Sequence, residues 1–320
     1  MSSNLIKTGV LLALLTAIFV AVGYLVNGFE GMMIALVIAL VTNIYSYWNS
    51  DSVVLRMFKA RPVSAQEAPQ LHEVIARLAS RAGLPMPRVY LLDAPQPNAF
   101  ATGRNPANAA VCVSTGLIDT LSLQEIAGVL GHELAHVMNR DTLTMTVAAT
   151  IGGAISMFAN LLQFNFLFGE RRQGGRPGWL VLLIGALVAP FAAGLVQMAI
   201  SRSREYEADR VGARLCGDPR WLASALAKIQ EVVRKIPDPR AQSVPAAAHL
   251  FIINPLSGHG FDSLFTTHPA TENRIAELER LADEWQHDVA HAPKPLELDS
   301  IVIAGGSAAG DQGFGPRPWG

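Results

Sequence analysis

The segment Gly131-His132-Glu133-Leu134-Ala135-His136-Val137-Met138-Asn139-Arg140-Asp141 reads GHELAHVMNRD, and its reading decides how the rest of the chain must be arranged. Ser122 and Glu125 stand at capping-box spacing before an apolar-periodic stretch, which predicts a helix from Leu123 through this segment. A helix turns by about 100° per residue, so His132 and His136 share a face and can aim ring nitrogens at one ion. Glu133 sits beside them, within reach of a water on that ion. Zinc lowers the pKa of a bound water to about 7, and a neighbouring carboxylate can take its proton as it attacks a carbonyl. The bland alternative is a helix with two histidines and an incidental glutamate.

A catalytic zinc takes three protein ligands and keeps one position open. The later stretch Ser201-Arg202-Ser203-Arg204-Glu205-Tyr206-Glu207-Ala208-Asp209 places Glu205 and Asp209 at the same i, i+4 spacing on a predicted helix. Glu205 is the candidate third ligand. Asp209 would accept the other N–H of an imidazole and so orient it. Glu207 lies off that face and is read as solvated. Taken alone, the stretch also reads as an ordinary acidic helix face.

Between these two elements the chain is apolar, from about 143 to 168 and again from 179 to 200, around the polar tip Gly169–Pro177. If His132, His136 and Glu205 meet at one ion, the intervening chain must leave and return on the same side. Two spans or a re-entrant hairpin satisfy this, and a single span does not. Arg171, Arg172 and Arg176 at the tip oppose full crossing, because positive charge favours the cytoplasmic side. Arg140, Arg202 and Arg204 fit the cytoplasmic interface.

Two further apolar runs open the chain, Leu5–Val26 and Met32–Trp48, joined by Asn27–Gly31. Each approaches the roughly 20 residues that a spanning helix needs. The first alone also reads as a signal peptide, although a second run follows at once. Tyr45, Tyr47 and Trp48 suit an aromatic belt. Arg56, Lys59 and Arg61 follow the second run, which puts the Asn27–Gly31 turn outside and the soluble mass inside. Bulk composition agrees with a membrane class: 16% of residues are charged, against about 25% in soluble domains, and mean hydropathy is +0.29. A net charge of -1 offers no basic face for nucleic acid. Cys112 and Cys216, without a CxxC pair, form no disulfide framework.

The fold class expected is an α+β membrane protein, mostly helical, with four transmembrane helices and a zincin-like domain holding a small sheet. The two N-terminal spans occupy 1–50, the second pair 143–200, and the metal-binding domain 51–142 and 201–303. The Gly-rich tail 304–320 is expected to be disordered. Residues 65–83 predict a helix burying Leu71, Val74, Ile75 and Leu78. Strands are expected at 88–92, 98–102 and 110–114, and amphipathic helices at 208–233 and 270–285.

GHELAHVMNRD, SRSREYEAD and THPATENRIAEL (267–278), in this order and among four apolar runs, resemble the HtpX-type membrane zinc metallopeptidases, relatives of the CAAX prenyl endopeptidases. The resemblance covers most of residues 5–285. It implies one Zn2+ on His132, His136 and Glu205, with Glu133 as catalytic acid/base. It further implies a multi-pass protein of the bacterial inner membrane, facing the cytoplasm, that cleaves misfolded membrane proteins or unfolded polypeptides. Asn98, Ala99 and Phe100 resemble the substrate-side edge strand, where a peptide would add by main-chain hydrogen bonds; Phe100 equally suits a core position. His268 would help to stabilise the oxyanion, or is a loop histidine without a role. Arg274 would pair with an acidic group behind the metal. Two alternatives stay open: a narrower prenyl-protein endopeptidase, and a non-catalytic membrane adaptor stabilised by its metal.

Overall fold

The computed structural model describes residues 2–150, 202–235, 250–253, 269–290, 292–299 and 301. The chain enters through α1 (Ser2–Met57), whose helix is interrupted at Asn27 and Gly28, the latter with φ 55°. Its two limbs fold back on each other. A Cβ on Gly23 would collide with the backbone of Gly31, so the limbs touch main chain to main chain. Asn43 Nδ2 donates to Thr16 Oγ1 at 2.8 Å and to Leu12 O at 3.2 Å, the kind of polar tie that joins helices in lipid.

Among the described residues, one helix is long and apolar enough to cross a membrane, the limb Asn27–Met57 of 31 residues. Val37, Ile38, Leu40, Val41 and Ile44 on it are exposed. The limb outruns the run expected at Met32–Trp48 because the helix continues through polar Asn49, Ser50 and Asp51 to Met57. The first expected span contains a shorter apolar helix, Thr8–Ala21. Of the expected second pair, only 143–150 is described; 151–200 and the tail 304–320 lie outside the described residues.

The sheet has strand order β1 (Arg61–Pro62), β2 (Arg88–Leu92), β4 (Ala110–Ser114), β3 (Ala99–Thr102). The β2–β4 pair is parallel and the other pairs are antiparallel, which leaves β3 at an edge. The expected strands thus form, and a two-residue strand, β1, joins them. The helix α2 (Pro69–Arg81) buries the predicted face of Leu71, Val74, Ile75 and Leu78. After the short α3 (Thr115–Thr120), α4 (Leu123–Met138) starts at the capping box: Ser122 N–H donates to Glu125 Oε2 at 2.8 Å and Glu125 N–H to Ser122 Oγ at 3.3 Å.

The single helix expected at 208–233 is two helices, α5 (Arg202–Cys216) and α6 (Pro219–Lys235). Gly217 takes φ 88° and Pro219 opens the next helix, so the chain turns between them although its apolar periodicity runs on. The final helix is α7 (Thr271–His287). One apolar core joins α2, α4, α5, α6 and the inner sheet face through Leu71, Val111, Leu130, Ala213 and Leu226. A second cluster, with Phe58, Phe100, Met145 and Phe251, lies between the end of α1 and the sheet.

Candidate metal centre

Glycines set how closely α4 and α5 approach. A Cβ on Gly212 would stand 2.6 Å from His132 N, and one on Gly131 would stand 2.8 Å from Gly212 O. The two backbones therefore cross in contact, and this carries Glu205 to the histidine face of α4. Gly212→Ala is expected to destabilise the fold by about 1–3 kcal/mol through overpacking. A thermal melt of the detergent-solubilised protein checks this; an unchanged melt removes the crossing from the account.

His132 Nε2 lies 3.2 Å from His136 Nε2. Glu205 Oε2 is 3.7 Å from the first and Oε1 is 3.7 Å from the second. The three donor atoms lie within 4.8 Å of one another, and all three residues are buried. His132 Nδ1 faces Asp209 Oδ1 at 2.8 Å, and His136 Nδ1 faces Asp141 Oδ2 at 3.3 Å. With each Nδ1–H given to a carboxylate, both Nε2 atoms present lone pairs to each other and to Glu205. Such a cluster of acceptors is satisfied by a shared cation. Around tetrahedral zinc with bonds of about 2.0–2.1 Å, neighbouring ligand atoms are about 3.3–3.4 Å apart, so the donor set fits that ion.

The charge balance agrees. Burial works against a charged His136, but the Asp141 hydrogen bond and the nearby carboxylates outweigh it and push its pKa up to about 9. Burial dominates at His132 and lowers its pKa. A positive charge is thus favoured in the gap between the two rings, and metal binding there would release the proton that otherwise fills it.

Glu133 lies beside the cluster and is 5% exposed. Its Oε2 accepts from Ala101 N–H on β3 at 2.8 Å. Burial raises its pKa to about 7, against the pull of His136 and the Ala101 bond, in the range that suits a group passing a proton both ways. Phe100, Met145, Leu250, Phe251 and Ile252 wall the space in front of it.

The remaining candidates fall out unevenly. Glu207 is exposed, whereas Asp209 is buried. Arg274 is 1% exposed and grips Asp209, Nε to Oδ2 at 2.8 Å and Nη2 to Oδ1 at 2.7 Å; its Nη1 donates to Ile252 O at 2.9 Å. Burial alone would raise the Asp209 pKa, but the Arg274 charge reverses this and holds it low. Asn98 does not point to an open edge: its Oδ1 accepts from Ile252 N–H at 3.2 Å. Ala99 is buried within the sheet. Phe100 takes the core position, packed on Phe58 with ring centroids 5.3 Å apart. His268 lies outside the described residues.

The roles of Asp141, Arg204, the Ala101 N–H and the Leu250–Ile253 segment at the site go beyond what the sequence spacing predicts. Arg204, expected as an interface charge, donates from Nη1 to Asp141 Oδ1 at 3.1 Å. The sequence signal for Asp141 was its place directly after the helix-ending Asn139-Arg140.

The crystal structure of S. mikatae Ste24p is similar over 85% of this chain, at 21% identity and a TM-score of 0.46; the match spans 62% of that protein's length. Residues 65–282, which include every described member of the cluster, match peptidase family M48. The chain therefore belongs to peptidase family M48, the zinc-dependent metallopeptidases.

Proposed function

We propose that the chain is a membrane-integral zinc endopeptidase that hydrolyses peptide bonds of misfolded or damaged membrane proteins at the cytoplasmic face of a bacterial inner membrane. The observation that carries this reading is the convergence of His132, His136 and Glu205 within 4.8 Å, with Glu133 alongside. His132, His136 and Glu205 would hold the ion, which would supply Lewis acidity for attack of water on a peptide carbonyl. Glu133 takes the proton of the attacking water on a carboxylate oxygen and returns it to the leaving amine nitrogen. The Ala101 N–H fixes the orientation of that carboxylate. His268 adds a hydrogen-bond donor for the oxyanion; its place in the THPATENRIAEL motif supports the assignment.

Peptide binding along β3 is supported by its edge position, with Asn98, Ala99 and Phe100 at its start. Leu250–Ile253 is tied to the start of this strand, Ile252 N–H donating to the Asn98 side chain at 3.2 Å. The apolar limb Asn27–Met57, with Arg56 at its end and Lys59 and Arg61 beyond it, supports placement in a membrane with the site on the cytoplasmic side.

Zinc analysis of detergent-purified protein, run beside a casein-cleavage assay, tests the proposal. The expected result is stoichiometric zinc, cleavage abolished by a chelator, and recovery on adding zinc. Full cleavage by metal-stripped protein would overturn it.

A further inference from the structure

The two imidazoles are each backed by a carboxylate that an arginine holds. On one side the chain is Arg274–Asp209–His132. On the other it is Arg204–Asp141–His136, and this second set is built differently. Asp141 lies beyond the end of α4. It reaches His136 because the helix closes through Asn139 into Arg140, a non-glycine residue at φ 58°. Arg140 N–H donates to Val137 O at 3.2 Å and Asp141 N–H to His136 O at 3.0 Å. This pair of bonds is the Schellman closure, a place where glycine is usual. The backbone and the side chain of Asp141 thus both terminate on His136. Its carboxylate is divided, Oδ2 toward His136 Nδ1 at 3.3 Å and Oδ1 accepting from Arg204 at 3.1 Å.

We infer that Asp141 is the positioning residue for His136 and that Arg204 holds Asp141 in place, resting on the reading of His136 as a zinc ligand. The carboxylate fixes the tautomer that leaves Nε2 free and stops the ring from rotating. Asp141 and Arg204 also stand at the two flanks of the apolar insertion 143–200, one just before it and one just after. The bond between them joins the ends of the insertion.

The test is zinc affinity of the full chain in detergent, measured by competition with a chromophoric chelator, with thermal melting of the metal-free protein alongside. Asp141→Ala is expected to weaken zinc binding about 10–100-fold, the usual effect of removing a carboxylate behind a ligating histidine. Asp141→Asn keeps an acceptor for the ring N–H and should recover much of that loss. Arg140→Gly, which suits the left-handed turn, should bind zinc as the parent does. If Asp141→Ala does not fold, Arg204→Gln serves, with a weaker but measurable loss of affinity. Parent-like affinity in Asp141→Ala, or in Arg204→Gln when that variant stands in for it, overturns the inference. So does a loss in metal-free melting with unchanged affinity, which a merely structural role would give. A parent protein that binds no zinc overturns the metal-site reading itself, a separable outcome.

Discussion

Glu133→Gln is expected to lower peptidase turnover by about 10²–10⁴-fold, the range that general acid–base catalysis supplies, while zinc affinity stays close to that of the parent. Glutamine has the same shape, and its amide oxygen can still accept from Ala101 N–H, so the β3 contact at 2.8 Å survives. What it cannot do is take a proton from water and give it back. Glu133 does not face the cluster as a ligand: the grouped donor atoms belong to His132, His136 and Glu205. Zinc content and casein-cleavage rate measured on one preparation separate the two effects. Cleavage at the parent rate by a zinc-loaded variant would remove Glu133 from the chemistry.

How much of this was legible in the sequence depends on how local each signal is. The capping box at Ser122 and the i, i+4 pairs are short-range rules, and they placed α4 and the shared face of Glu205 and Asp209. The β strands stood out because Pro, Asn and Gly clusters separate them. The break between α5 and α6 was written as Gly217-Asp218-Pro219, yet the apolar periodicity continues across it and hid the turn. Asp141 escaped because no helical spacing leads to it; a left-handed residue with a long cationic side chain carries it round. Leu250–Ile253 reaches the site through main-chain atoms, Ile252 N–H to Asn98 and Ile252 O from Arg274, and main-chain contacts leave no pattern in residue types. Arg274 was legible only as a partner for some acid, since its burial between α5 and the Leu250–Ile253 segment is a property of the packed fold.

Glu205→Ala is the second large effect. Zinc binding at a four-ligand site is worth about 10–16 kcal/mol, or about 3 kcal/mol for each ligand. Since about 1.4 kcal/mol is a factor of ten, loss of this carboxylate should weaken affinity by roughly a hundredfold or more. The two oxygens of Glu205 each face a different imidazole at 3.7 Å, so its removal takes a donor atom from both sides of the gap. Removing the carboxylate also removes one of the negative charges that favour a cation in the gap. Glu207→Ala is the internal control: it lies two residues away on the same helix but is exposed, and its zinc affinity should match the parent. Metal content after dialysis against a weak chelator reads the difference directly. If Glu205→Ala retains zinc as Glu207→Ala does, the third ligand must come from elsewhere in the chain, and the helix crossing at Gly131 and Gly212 loses its purpose in building the site.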